Sequence, residues 1–391
     1  MDMKQKYLHL IIIIYIAALF GLPSCENEIP YNPETRQPCL VMNALLEAGE
    51  NKTNEVYLYL STGDNLDKVN DDAILTLYVN GQLTETPQAF KPEDIYPYPG
   101  EWLSPEDYET LLKNIHYRKY RLSTPLQPGD LIRLEATAQG GILRAAAEVQ
   151  VPQPPQDFRV DTCTVPINMG SGIVTPHRRY LVTMNDIANE SNHYRLDIRN
   201  QFLVRYYIYE YLRDEQGNFI EDENHNLIYT ERDSLTTQIY SDLVNREDII
   251  LTDGNISHSQ EDEDNLMFPR IENKYNIFTD NRFRNSSATL KVYTRLYDDF
   301  TANALHGITY GKTYCTQSIH IRLLNLTADY YRYLKALNCL DDDDYDTTLM
   351  EPVSLPCNVS GGIGFVGIAT PREVVITFPE RPCRNTSSSS L

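Results

Sequence analysis

Short stretches in which apolar and polar residues alternate recur along much of the chain, and this alternation constrains the fold more than any other feature. Between residues 131 and 138, for example, Leu, Ile and Ala alternate with Arg, Glu and Thr. Residues i and i+2 of a strand lie on the same face, so such a stretch predicts a strand with one face in a core. The 28 tyrosines and 22 prolines are typical of strands joined by turns. The sequence therefore predicts a mainly β protein.

A proline-rich segment divides the alternating stretches into two blocks. Residues 38–152 contain short strands and an Asn80-Gly81 turn, which predicts an immunoglobulin-like β-sandwich. The segment Val151-Pro152-Gln153-Pro154-Pro155 predicts a stiff linker, because consecutive prolines cannot join a sheet interior. Residues 153–383 predict a second, larger β-rich domain with one short helix. Residues 384–391 predict a disordered tail.

Two helix starts interrupt the strand pattern. Ser104 is followed by Pro105 and by an acid three residues after the serine, which predicts a capped helix to about Ile115. Thr327 precedes apolar residues at helical spacing and predicts the helix of the second domain.

The N-terminus has the pattern of a secretion signal ending in a cysteine. A basic start is followed by an apolar run over residues 10–22 and by Leu22-Pro23-Ser24-Cys25, which resembles a bacterial lipobox. The run is shorter than the ~20 residues that a membrane-spanning helix needs, so residues 1–24 predict a signal peptide. Cys25 is the predicted lipidation site, with residues 25–37 as a tether. An ordinary signal peptide with a chance cysteine is the alternative.

The net charge of −21 excludes two classes of partner. Nucleic acid and anionic membrane surfaces are negatively charged and repel an acidic chain. The predicted membrane contact is therefore the acyl chains on Cys25, each buried methylene of which contributes about 0.8 kcal/mol. The predicted location is the outer membrane.

Six cysteines besides Cys25 allow disulfides in an exported protein. Cys339 and Cys357 flank one loop and are the first candidate pair, although sequence alone cannot fix the connectivity. Free buried thiols are the alternative.

An apparent cofactor-binding motif lies in a sequence context that does not suit it. Residues 362–367 read GIGFVG, the spacing of a dinucleotide-binding loop, but the β-rich EVVITF follows where a helix is required. The glycines instead indicate a bulge or close strand packing. The sequence predicts no catalytic residue, no metal ligand and no cofactor. A triad assembled from distant positions stays open, because such sites are recognised by geometry.

Two aromatic segments are candidate partner surfaces. One is the loop YPYPGEW beside the first predicted helix, and the other lies in the long strand QFLVRYYIYEYL. The first segment could bind a partner or cover the open end of the sandwich, and the sequence favours the covering role. Two similar eight-residue units, DEQGNFIE and DENHNLIY, follow the strand and predict a hairpin. The candidate partner residues are Tyr96, Tyr98, Trp102, Tyr207, Tyr209 and Tyr211.

The order of several motifs resembles a family of Bacteroidota outer-membrane lipoproteins, domain of unknown function 4249. After the lipobox these motifs are VQVPQPP, NHYRLDIR, IFTDNRFRNSSATLKV, TADYYRYLKAL and EPVSLPCNVSGGIGFVG. Genes of such proteins often stand beside those of TonB-dependent receptors, so the resemblance implies an accessory role in uptake. It implies no catalytic residues.

These observations predict a non-enzymatic, lipid-anchored cell-surface protein that presents loops to a transporter or ligand. The first alternative is a fimbrial or adhesin subunit, since such proteins also begin as lipoproteins with two β-domains. The second is a surface hydrolase with its site at the domain junction.

Overall fold

The structure is a computed structural model that describes residues 37–62, 65–69, 71–98, 103–168, 174–214, 216–251, 273–296, 310–341 and 353–382. Side chains are described within these ranges except at 65, 168, 206–210 and 310–313. The predictions for the signal peptide, Cys25, Trp102, Cys383 and the tail lie outside the described residues, as does all but the last residue of the tether.

Strands dominate the described part of the chain, which confirms the mainly β prediction. They are β1 (Cys39–Glu47), β2 (Asn54–Thr62), β3 (Asn65–Asp67), β4 (Ile74–Val79), β5 (Gln82–Glu85), β6 (Arg118–Leu122), β7 (Leu131–Ala138), β8 (Leu143–Gln150), β9 (Gln156–Asn168), β10 (Val174–Asn185), β11 (His193–Tyr211), β12 (Tyr229–Tyr240), β13 (Ile277–Thr279), β14 (Ser287–Arg295), β15 (Tyr310–Leu326), β16 (Ile363–Thr377) and β17 (Arg381–Pro382). The helices are α1 (Pro92–Ile95), α2 (Pro105–Lys113) and α3 (Ala328–Leu340), with 3₁₀ turns at Gln139–Gly141 and Asp280–Arg282.

One ten-stranded sheet runs through both halves of the chain. Its main order is β12-β11-β15-β16-β1-β2-β3, with β13, β17 and β6 paired at its sides. The first strand β1 pairs in parallel with β16, near the end of the chain, from Val41 opposite Ile363 to Glu47 opposite Ala369. Strands from near both ends of the described sequence are therefore neighbours in one sheet.

The first hydrophobic core lies between this sheet and a four-stranded sheet of order β5-β4-β7-β8. Alternate residues of β7 fill it, as the sequence predicted, and residues of β1 join them, with Leu40, Met42 and Leu134 each fully buried. Val366 and Ile368 of β16 belong to the same core. The core of the first block is thus completed by a strand from the second. The domain division at 152 and its immunoglobulin-like arrangement stay predictions.

The second core lies between the same large sheet and a three-stranded sheet of order β14-β10-β9. Tyr180 of β10 and Leu290 of β14 face Ile198 of β11 and Ile321 of β15, and all four are fully buried. A third cluster lies under α3, where the ring of Tyr333 stacks on Phe365 of β16 with centroids 4.5 Å apart.

Both predicted helices are present. The Ser104 side chain accepts a hydrogen bond from the Asp107 N–H at the start of α2, so the predicted cap is confirmed. Thr327 occupies the cap position of α3, but its side chain makes no capping hydrogen bond. Among the described residues, no helix has the length and apolar character that crossing a bilayer requires.

The glycine motif lies at the start of strand β16, where it permits close packing. A Cβ on Gly362 would stand 2.4 Å from the Leu40 carbonyl oxygen, and one on Gly364 would stand 2.2 Å from that of Met42. Gly364 also has a φ of +121°, a region that L-residues with a side chain avoid. The prediction of close strand packing is therefore confirmed.

Candidate functional site

A group of tyrosines covers the outer face of strand β2. Tyr57 and Tyr59 alternate with core residues and so face away from the first core. Both rings contact Tyr117, with centroids 5.5 Å and 5.8 Å away. The alternation of β2 could have placed these two tyrosines on one face, but no local signal indicated that Tyr117 would join them.

Two of the predicted partner residues join this group. Tyr96 and Tyr98 are 42% and 48% exposed, and the Tyr98 ring contacts Tyr108 of α2 with centroids 4.9 Å apart. The Tyr108 hydroxyl donates to the Tyr96 carbonyl oxygen at 2.7 Å, and the Tyr98 hydroxyl donates to that of Leu103 at 3.0 Å. These hydrogen bonds fix the loop against α2. We call Tyr57, Tyr59, Tyr96, Tyr98, Tyr108 and Tyr117 the tyrosine surface.

The hydroxyls of Tyr57 and Tyr117 are held in the neutral form. Burial and the neighbouring Glu55 carboxylate raise the pKa of Tyr57 to about 12. Burial and a hydrogen bond with Tyr96 raise the pKa of Tyr117 as well. Burial opposes the charge of Glu55, but hydrogen bonds from Lys119, Arg121 and Tyr57 outweigh it and lower its pKa. Neutral phenols keep both a hydrogen-bonding hydroxyl and an electron-rich face for a ligand.

Carboxylates lie on the two helices beside the exposed rings. The first turn of α1 contains Glu93 and Asp94, and that of α2 contains Glu106 and Asp107. Cations bind over the faces of tyrosine rings and are attracted by nearby carboxylates. The Lys119 ammonium already lies 5.8 Å from the Tyr57 ring centroid in this way. The chemistry of the tyrosine surface therefore suits a partner that presents Lys or Arg side chains.

The second predicted aromatic segment lies in β11, which forms a hairpin ribbon with the edge strand β12 and pairs with β15 on its other side. These strands pair from Asn200 opposite Tyr240 to Tyr211 opposite Tyr229. The Tyr211 ring contacts Phe219 and Tyr229, with centroids 6.0 Å and 5.9 Å away. The side chains of Tyr207 and Tyr209 lie outside the described residues.

The two eight-residue units form the end of this ribbon, residues 212–228, which we call the ribbon tip. Asp214 accepts hydrogen bonds from the N–H groups of Gln216 and Asn218, and Asp222 does the same with Asn224 and Asn226. The hairpin predicted from these units is confirmed, each unit adding its own tight turn. Exposed apolar side chains on the tip are Leu212, Phe219, Ile220, Leu227 and Ile228.

A serine, a histidine and a glutamate on the large sheet have the connectivity of a catalytic triad. The Ser318 hydroxyl lies 3.1 Å from Nε2 of His320, and Nδ1 of His320 lies 2.8 Å from Oε1 of Glu373. Ser318 lies inside β15, which is paired with β11 on one side and with β16 on the other. The surrounding N–H groups are therefore committed to strand pairing, whereas acyl transfer needs free donors for the oxyanion. The sequence missed this group because its members lie on two strands.

The structure describes both cysteines of the predicted disulfide. Cys339 and Cys357 are free thiols, so the structure does not contain the disulfide predicted between them. The sulfur of Cys357 is directed to the carbonyl oxygen of Val359, 3.7 Å away. No group of three or more His, Cys, Asp or Glu side chains that could hold a metal ion occurs in the part of the chain that the structure describes.

Sequence comparison identifies the family. Residues 26–374 match the family described as Domain of unknown function (DUF4249). The match covers most of the chain, so the protein belongs to this family. Comparison with curated proteins gave no match.

Proposed function

We propose that the protein is a non-enzymatic accessory protein of a TonB-dependent transporter, anchored in the outer membrane through acyl chains on Cys25. The tyrosine surface carries the proposal, because it presents exposed rings and carboxylates outside both cores. Tyrosines at an interface bury a large rigid area and add hydrogen bonds at little entropic cost. The family resemblance supplies the class of partner.

The partner surface is proposed to be basic. The chain carries a net charge of −21, and opposite charges speed and orient association. Arg or Lys side chains from the transporter would bind over the rings of Tyr96 and Tyr98, between the acidic first turns of α1 and α2.

Site-specific photo-crosslinking in native membranes tests the partnership. A benzophenone amino acid at Tyr98 is expected to capture a TonB-dependent transporter, identified by mass spectrometry. The same amino acid at Ile142, which is 80% exposed on the β7–β8 turn, is the matched control. Replacing Glu93 and Asp94 by Lys is expected to reduce the Tyr98 crosslink. Equal capture at both positions would show that the tyrosine surface is not the docking site.

The anchor is tested separately. Cells fed an alkyne-tagged fatty acid should label the wild-type protein and not the Cys25→Ser variant, which should leave the membrane fraction. An unlabelled wild-type protein would refute lipidation without bearing on the transporter contact.

A surface hydrolase is the second candidate, because Ser318, His320 and Glu373 share the hydrogen-bond connectivity of a triad. A fluorophosphonate probe that labelled the wild-type protein and not a Ser318→Ala variant would favour it.

A further inference from the structure

A polar cleft lies where the linker between the two cores passes the start of helix α3. Its volume is about 500 Å³, within the usual size range of small-molecule sites. Residues 148–153 form one wall, residues 190–193 a second, and residues 325–329 the third. The cleft is separate from the tyrosine surface and from the ribbon tip.

Two buried asparagines form the floor of the cleft. Asn192 and Asn325 are each 3% exposed. The Asn325 amide nitrogen donates to the carbonyl oxygen of Gln153 at 2.9 Å and to Oδ1 of Asn192 at 3.4 Å. Its own Oδ1 accepts no hydrogen bond from any residue that the structure describes. A buried amide fixed on one side and open on the other is a preorganised acceptor.

The start of α3 adds further unpaired groups. The hydroxyl oxygen of Thr327 is buried and has no hydrogen-bond partner among the described residues. The first N–H groups of a helix also lack intrahelical partners, and here they belong to Ala328 and Asp329, which line the cleft. An unpaired buried hydroxyl is costly and needs an explanation, which a ligand in the cleft would supply.

His193 forms the side of the cleft next to α3. Its ring contacts Tyr331, with centroids 4.9 Å apart, and its nitrogens make no hydrogen bond within the described part of the chain. Burial lowers the pKa of His193, with Asp280 opposing the shift. The neutral ring offers one donor and one acceptor to a ligand.

The set of polar groups selects the class of ligand. Glu148, Glu190 and Asp329 line the cleft, and none of its described lining residues is Lys or Arg, so an anion is disfavoured. A cation is disfavoured in turn, because it cannot use the imidazole, amide and helix N–H donors and meets the positive end of the α3 dipole. Hydroxyl groups use donors and acceptors equally. We infer that the cleft binds a neutral, hydroxyl-rich ligand of the carbohydrate class.

Titration calorimetry of the full chain in mild detergent tests this inference. The probes are a panel of neutral hexoses and their disaccharides, each up to about 10 mM, where a millimolar site is mostly filled. Spermidine and inorganic phosphate serve as cationic and anionic comparisons. We expect saturable binding of at least one sugar and of neither ion.

Two variants locate the binding. Thr327→Val removes a hydroxyl that has no protein partner, so the variant is expected to fold normally and to bind the sugar about tenfold more weakly. Glu190→Gln is expected to weaken binding to a similar extent, whereas Glu231→Gln, at an exposed position of β12, should leave it unchanged. Thermal unfolding of each variant checks the fold.

Three results would overturn the inference. The first is the absence of binding by every sugar, and the second is a preference for spermidine or phosphate. The third is sugar binding that both cleft variants leave unaltered. None of these results depends on the transporter partnership, which the Tyr98 crosslink tests alone.

Discussion

Carboxylates organise two regions of the molecule in opposite ways. In the large sheet, Glu47 of β1 and Asp197 of β11 meet the guanidinium of Arg322 on β15, which lies 2.6 Å from both oxygens of Glu47 and 3.4 Å from Asp197. At the ribbon tip, Asp214 and Asp222 are exposed and bind only backbone and side-chain groups of their own turns.

The difference shows where charge holds the fold together. Arg322 has 10% of its side chain exposed and reaches across β16 to connect strands from both halves of the chain. A buried pair is costly to break, because the remaining charge loses its partner in a poor solvent. The tip carboxylates remain in water, so they determine local geometry and contribute little to global stability.

Removing the guanidinium should give the largest effect. Arg322→Ala removes the cation that Glu47 and the buried Asp197 share and leaves each with one cation, Lys52 at 3.4 Å and Arg199 at 2.7 Å. Because Arg322 is the most buried of the three cations, we expect a loss of about 3 kcal/mol in the free energy of unfolding. Urea unfolding measures it.

Lys113→Ala breaks the exposed pair with Glu109 and is the matched control, expected to cost less than about 0.5 kcal/mol. In the Arg322→Ala background, Glu47→Gln should recover part of the loss, because it removes a partly buried charge that has lost its closest partner. An equal loss in Arg322→Ala and Lys113→Ala would remove the distinction between the two regions.

The close contact between β1 and β16 should give the next largest effect. Gly364→Ala places a Cβ 2.2 Å from the Met42 carbonyl oxygen at a φ of +121°, so we expect a loss of about 3 kcal/mol or slightly less. Gly81→Ala has a φ of +79° but no atom within 4 Å of its Cβ, and strain alone should cost about 1 kcal/mol. Similar losses in the two variants, measured by urea unfolding, would show that the strands can separate to admit a methyl group.

Lowering the pH should destabilise the region around Arg322, because Glu47 is charged there. Burial opposes the charge of Glu47, but Arg322 and Lys52 outweigh it and lower its pKa below the ordinary value. The unfolded chain then binds the proton more tightly than the folded chain. The stability that the Glu47 charge contributes is therefore complete above the unfolded pKa of about 4.3 and is lost as the pH falls through the pKa of the folded state. Urea midpoints between about pH 6 and 3 should fall less steeply in Glu47→Gln than in the wild type. Identical slopes would show that Glu47 is not coupled to folding.

Much of the packing that separates the two regions could not be predicted from the sequence. Alternation identified the strands, Asn80-Gly81 with its positive φ values identified a hairpin turn, and Ser104 identified a helix start, because each signal is local. The pairing of β1 with β16 joins residues more than 300 positions apart and left no local signature. Tyr96 and Tyr98 were recognised as aromatic loop residues, but their neighbours Tyr57 and Tyr117 come from other elements. The cleft residues likewise come together only through the sheet topology.

The ribbon tip should respond least to substitution, and only locally. Asp214→Ala removes the acceptor of the Gln216 and Asn218 N–H groups, at 2.9 Å and 2.8 Å, so these two amides should exchange hydrogen faster. The unfolding midpoint should not change, because the carboxylate is exposed and contacts no core residue. Asp214→Asn retains a side-chain oxygen and should keep most of the protection. A lower unfolding midpoint in Asp214→Ala would show that the ribbon tip is coupled to the cores and would end its contrast with the region around Arg322.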